Sequence, residues 1–199
     1  MKVLSCHAGD PESAVIEKAV SILREGGIVA HPTDTCYGVA VDIMNPLALE
    51  SLYSRKGMEF EKPVSILVKS LEEAQKYGVF SAMALRLAQE FWPGPLTLVV
   101  PRTEALPEFF NVGADSVGIR VISDPVTMAL LEEFGGPITT TSANAHGELS
   151  PYNIGAISME ADLVLDVGEL VHREKPSTVL KIEGDQAITL RQGHLFLEF

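Results

Sequence analysis

The chain has 199 residues, enough for one or at most two domains with a buried core. Hydrophobic residues make up 46% and charged residues 21%, a balance that excludes a disordered chain. The formal net charge of −12 argues against a general nucleic-acid or anionic-membrane binder, although a local basic cleft could survive it.

After a short apolar start at Val3 and Leu4, Asp10-Pro11 predicts a helix opening, a carboxylate N-cap followed by proline in the first turn. Val15, Ala19 and Ile22, with Ile16, Val20 and Leu23 beside them, then form a helical apolar face. Gly26-Gly27 ends that pattern. Residues 28–30 and 39–41 read as buried strands on either side of a polar turn, His31 to Gly38 (His-Pro-Thr-Asp-Thr-Cys-Tyr-Gly). Pro32 has no N–H to donate and biases His31 towards an extended backbone, so the first of these strands should end there. Asn45-Pro46 opens a helix through Leu52, residues 63–68 form a strand, and Ser70 with Glu73 makes a capping box for the next helix. Residues 82–91 read as a helix with Leu85 and Leu87 inward, broken by Trp92-Pro93-Gly94-Pro95 before a strand at 96–100. Further strand signals fall at 117–121, 138–141, 163–165, 178–182 and 188–190, with helical patterns at 125–134 and 154–159. No repeat or linker intervenes. The expectation is one α/β domain over 1–199, a large twisted mixed β-sheet flanked by helices. The connections vary too much in length for a regular doubly wound order.

The common catalytic signatures are absent. There is no Walker A pattern, no G-x-G-x-x-G and no G-x-S-x-G elbow, and neither the five His nor Cys6 and Cys36 have metal spacing. No apolar run approaches the ~18 residues of a membrane span, and the N-terminus lacks a continuous apolar segment, so a reducing cytoplasm is expected. Four stretches stand out instead. The turn at 32–38 carries two hydroxyls, a carboxylate and a phenol at a strand end, where α/β proteins place ligand contacts; the alternative is a turn that satisfies only its own backbone. The loop Arg55-Lys56-Gly57-Met58-Glu59-Phe60-Glu61-Lys62-Pro63 offers cations suited to phosphate, or is a solvated charged loop. Thr139-Thr140-Thr141-Ser142-Ala143-Asn144, with His146-Gly147 and Ser150-Pro151, resembles an anion cradle of N–H and O–H donors, or a polar turn. Arg120 sits inside an apolar strand and must find an anion, either a structural carboxylate or a bound ligand.

Together these stretches resemble the YrdC family of threonylcarbamoyl-AMP synthases. Pro32-Thr33-Asp34-Thr35-Cys36-Tyr37-Gly38 is similar to the family's opening motif, and Lys56-Gly57 through Lys62-Pro63 to its lysine loop. Trp92 to Val99, Val117 to Arg120, Thr141-Ser142-Ala143-Asn144 with Gly147, Pro176-Ser177-Thr178-Val179 and Leu190-Arg191-Gln192-Gly193 continue the likeness in the family's order. The chain stops where longer members begin a linker and second domain, so the short single-domain form is expected. The resemblance implies an enzyme that condenses L-threonine, bicarbonate and ATP into threonylcarbamoyl-AMP and pyrophosphate. A threonylcarbamoyl-transferase complex then acts on tRNA, with at most a weak contact between this chain and the tRNA. It implies that Thr35, Arg120, Thr140 and Ser177 hold threonine. It puts Lys56, Lys62, Ser116, Ser142, Asn144, Ser150 and Arg191 on the ATP side, and Lys56, Arg120 and Ser142 closest to the chemistry. Mg²⁺ should accompany the phosphates, without a protein metal cage.

Two residues depart from the family pattern. Met58 stands where an arginine aimed at the triphosphate is usual, with Glu59 in place of the following proline, and His146 replaces a serine. Arg55 is near enough in sequence to compensate. The alternative is a YciO-like nucleotide- or RNA-binding paralogue with weak or no synthase activity. A carbamoyl-adenylate activity like that of the hydrogenase-maturation carbamoyltransferases is disfavoured, because the chain lacks their length and cysteines.

Overall fold

The computed structural model describes residues 1–170 and 175–197. In chain order these form β1 (Lys2–Ser5), α1 (Ser13–Arg24), β2 (Val29–His31), β3 (Gly38–Ala40), α2 (Pro46–Lys56), β4 (Ser65–Val68), α3 (Leu71–Tyr77) and α4 (Ala82–Phe91). There follow β5 (Leu96–Pro101), β6 (Ser116–Val121), α5 (Pro125–Phe134), β7 (Ile138–Ser142), β8 (Leu163–Asp166), β9 (Thr178–Glu183) and β10 (Gln186–Arg191). The strands form one sheet in the order β1-β8-β2-β3-β7-β4-β6-β5-β9-β10. It is mixed, as expected: β1, β8 and β2 run parallel, as do β4 with β6 and β5 with β9, and the remaining neighbours are antiparallel.

Strand alternation divides the core in two. One face carries Ile28, Val39, Ile66, Leu98, Ile119, Val164 and Leu180, covered by α2, α3 and α4 through Leu49, Leu52, Ala74 and Leu87. The other face carries Val29, Ala40, Leu67, Ile122, Ile138 and Leu163, covered by α1 and α5 through Ile16, Leu23, Val126 and Leu130. Burying each such Leu or Ile contributes ~1.5–3 kcal/mol, which fixes the strand register on both faces. The α1–α5 layer covers only part of its face. Two residues along from Leu67 and Ile138 the strands turn polar, at Ser65 and Thr140, and there the sheet is open.

Capping explains why several elements begin and end where the sequence predicts. Asn45 Oδ1 accepts from Leu47 and Ala48 N–H, Ser81 caps α4, and Asp124 caps α5 ahead of Pro125. Gly57 and Gly135 close α2 and α5 in the left-handed conformation that glycine adopts without strain. Four expectations are corrected. The first helix begins at Ser13 rather than beside Asp10, because the Glu12 carboxylate accepts the N–H of His7 and gives the helix no side-chain cap. In α4, Leu87 is buried with Ala84 and Ala88, whereas Leu85 is half-exposed; residues two apart cannot share a helical face. At 154–159 only a single 3₁₀ turn, Ile154–Ala156, forms before Ile157 leaves the helical region. The Ser70–Glu73 box is displaced: Ser70 Oγ accepts from Glu73 N–H, but the carboxylate takes the N–H of Lys69.

Candidate active site

The open part of the second face is the floor of a cavity of about 400 Å³. Alternation supplies its lining: Ser65 of β4, Thr97 and Val99 of β5, Ser116, Gly118 and Arg120 of β6, Thr140 and Ser142 of β7, and Val179 and Lys181 of β9. Gly118 keeps the floor low, since a Cβ there would come within 2.2 Å of Ser65 Oγ.

At the inner end, Arg120 is 4% exposed and ties three segments together. Its Nε donates to Gly94 O at 2.9 Å, in the Trp-Pro-Gly-Pro turn, and its Nη1 donates to Thr35 Oγ1 at 3.3 Å. Its Nη2 pairs with Asp34, whose other oxygen accepts from Ser123 Oγ at 3.1 Å. The anion this buried guanidinium requires is therefore a structural carboxylate. The 32–38 turn does both things that were open to it. Thr33 Oγ1 accepts from Thr35 and Cys36 N–H at 3.0 Å each and so braces the turn, while Thr33, Thr35 and Cys36 all line the cavity. Burial pushes the Cys36 thiol up, with Ser150 and Thr35 against it. Beneath the turn His31 is fully buried. Thr127 Oγ1 gives its proton to Pro32 O, so His31 Nδ1 is the donor in its 2.7 Å bond to that hydroxyl. Burial lowers the His31 pKa to about 4.

The opposite wall comes from the approach to β9 and the end of β10. Arg191 Nε donates to Ser177 O at 3.0 Å and Nη2 to Ser177 Oγ at 2.9 Å, and that hydroxyl lies 3.0 Å from Thr97 Oγ1. Burial lowers the Arg191 pKa. Gly193 allows this closeness, because a Cβ there would lie 2.3 Å from Pro176 O.

Thr35, Arg120, Thr140, Ser177, Ser116, Ser142 and Arg191 thus all line one cavity, drawn from five separate segments of chain. Four expected ATP-side residues do not line it. Lys56 is 4% exposed, with its ammonium on Ser142 O at 2.6 Å and Asn144 O at 2.8 Å; burial lowers its pKa to about 8. It fixes the turn that presents Ser142. Asn144 donates to Ala145 O and Glu148 O, and Ser150 lies behind Cys36. Lys62 lies 3.2 Å from His146 Nε2 and 3.5 Å from Glu59, joining the two loops beside the cavity. Met58 is on the wall. Arg55 does not line the cavity: its guanidinium is held by Asp162 at 3.0 Å, and Asp162 also accepts the N–H of Ile28. Adjacent helical residues point about 100° apart, and at the end of α2 Lys56 turns to the Ser142 and Asn144 carbonyls while Arg55 turns to Asp162.

Sequence reasoning missed Ser65, Thr97 and Lys181. The rule that singled out Arg120, a polar side chain on a strand otherwise reading as core, would have found the last two. Among the described residues the cavity lining includes three cations, Arg120, Lys181 and Arg191, and no carboxylate; Asp34 lies behind Arg120. Among the described residues no group of three or more His, Cys, Asp or Glu could hold a metal ion, and no helix is long and apolar enough to cross a membrane.

Fold and site together define an α/β protein with a pocket lined by hydroxyls and three cations on the partly covered face of a mixed sheet. The family model named for Sua5, YciO and YrdC, described as telomere recombination, matches residues 21–193, and the chain belongs to this family. A Methanocaldococcus jannaschii protein with the provisional name threonylcarbamoyl-AMP synthase is 36% identical over 90% of this chain and 86% of its own length. The Pyrococcus abyssi threonylcarbamoyl-AMP synthase is 32% identical over 92% of this chain, which spans 55% of that relative's length. The structure of P. abyssi Sua5 complexed with L-threonine covers 97% of this chain and 58% of its own, with a TM-score of 0.89 at 30% identity. Escherichia coli YciO covers 97% of this chain and 96% of its own at a TM-score of 0.88 and 27% identity.

Proposed function

We propose that this protein is an L-threonylcarbamoyladenylate synthase. The observation that carries the reading is a cavity lined by cations and hydroxyls, with no carboxylate among its described lining, in a chain whose net charge is −12. Such a wall suits anionic reactants, and the threonine complex of a relative supports an amino acid as one of them. Threonine would present its carboxylate to Arg120 and Thr35 and its hydroxyl to Thr140 and Ser177. Its amine would combine with bicarbonate to give a carbamate and water. A carbamate oxygen then attacks the α-phosphorus of ATP, the bond to the β-phosphate oxygen breaks, and pyrophosphate leaves.

ATP would enter as its Mg²⁺ complex. Arg191, Ser142 and Ser116 are suited to its phosphates, with Lys56, Asn144 and Ser150 shaping the 142–151 turn from behind and Lys62 at its flank. Fixed donors would steady the developing charge without reorganisation, and most of the acceleration would come from positioning. The adenylate would pass to a transferase complex that modifies tRNA.

Threonine-dependent release of pyrophosphate from ATP in the presence of bicarbonate tests the reading. Valine should be rejected by ~10⁴ or more, because buried hydroxyl partners would be left unpaired, and serine by about 10- to 200-fold. Valine accepted as readily as threonine would remove the pocket assignment, and release independent of any amino acid would point to carbamoyl chemistry instead.

A further inference from the structure

The cations that the sequence offers for phosphate are largely engaged elsewhere: Lys56 on two carbonyls, Arg55 on Asp162, and Lys62 beside Glu59 and His146. Residue 58, on the cavity wall, is a methionine. Lys181 is different. It stands on the cavity face of β9 between Val99 of β5 and Ile188 of β10. Its hydrogen-bonded partner is Glu183, 2.6 Å away and two positions along the same strand, with side chains 38% and 50% exposed, and the charge of Asp115 also acts on it. An exposed pair of this kind exchanges readily for a stronger anion. Arg191 faces Val179 across the same antiparallel pair, just past a bulge between Thr189 and Arg191, so the two cations stand on one cavity wall two positions of β9 apart. A chain of linked phosphoryl groups can bridge that spacing.

We propose that Lys181 is a further phosphate-binding residue, its ammonium leaving Glu183 for the phosphoryl chain that Arg191 holds from the adjacent strand. Lysine acts here as a compact point charge beside the planar fork of arginine. For the identity of the nucleotide the assignment rests on the function proposed above; for the anion it rests on the cavity wall alone.

Calorimetric titration of the purified full chain with inorganic triphosphate, ATP, AMP and threonine, each separately, tests it. Lys181→Gln should weaken triphosphate and ATP by roughly tenfold, the loss of one charge-assisted contact, with AMP changed less and threonine unchanged. Lys181→Arg should recover most of the loss, and Glu183→Gln should tighten triphosphate by removing the competitor. Matching thermal unfolding of the variants keeps the comparison clean, since the side chain is partly exposed. Triphosphate bound equally by the wild type and Lys181→Gln overturns the proposal, as does equal weakening of threonine. A wild type that binds triphosphate through Lys181 but turns over no threonine would overturn the synthase reading and leave the Lys181 assignment standing. A wild type that binds neither ATP nor triphosphate overturns both.

Discussion

Arg120 is held by a backbone carbonyl, a hydroxyl and a carboxylate at once, so its guanidinium reaches the cavity already oriented. An ammonium cannot reproduce that fork while also gripping a ligand carboxylate. Arg120→Lys should therefore cost ~1.5–3 kcal/mol, about 10- to 150-fold in kcat/KM for threonine. Asp34→Ala addresses the other partner, because it leaves a buried cation uncompensated; denaturant unfolding should show a loss of ~3–5 kcal/mol. A stability close to wild type would mean the pair is not held in the folded state. His31 gives a pH dependence with a definite sign. Its folded pKa of about 4 lies below its ordinary 6.5, so the folded protein binds this proton more weakly than the unfolded chain does. The contribution to stability is complete above the ordinary value and is lost as pH falls from there towards the folded one. His31→Phe, which cannot take the proton, should reduce the fall in unfolding free energy across that window by roughly 2–4 kcal/mol. Parallel pH curves for the two proteins would contradict this.

At the scale of elements, the strands and the capped helices were legible because local signals agree with burial. Asp124-Pro125 with Gly135, and Ser81 with the Trp-Pro-Gly-Pro break, bound α5 and α4 at the residues the sequence predicts. The 154–159 segment has no such agreement. Asn153 caps it, but Gly155 and Ile157 supply neither propensity nor a second turn. The candidate site was legible where it lies on strands and less so where it lies on the loops and the end of α2. Period two determines which way Arg120, Thr140 and Ser142 point, whereas only tertiary contacts decide that Lys56 turns to Ser142 O and Arg55 to Asp162. Arg55→Ala should accordingly leave the KM for ATP unchanged. The contact between the segment before β9 and the end of β10 is set by backbone closeness at Gly193, which the motif hints at without its reason. Gly193→Ala should destabilise the protein by ~1–3 kcal/mol through overpacking against Pro176 and Ser177. It should also lower kcat/KM for ATP, because Arg191 and Ser177 move with it. An alanine variant of full stability and activity would show that this junction yields without cost.

Across the whole molecule, helices cover one sheet face and part of the other, and the uncovered part carries Arg120, Lys181 and Arg191 with no carboxylate among its described lining. An acidic protein with a cationic cavity draws anions to one place and repels them elsewhere, so the KM for ATP should rise with ionic strength. On the function proposed above, threonine, bicarbonate and ATP meet in this cavity and leave as one adenylate. Incubating the purified protein with ATP, threonine and isotopically labelled bicarbonate, then resolving the nucleotides, tests it most directly. The expected result is a labelled threonylcarbamoyl-adenylate that forms only with all three substrates and is lost in Arg120→Lys. Nucleotide bound with no labelled adenylate at any Mg²⁺ concentration, or label incorporated equally without threonine, would contradict it.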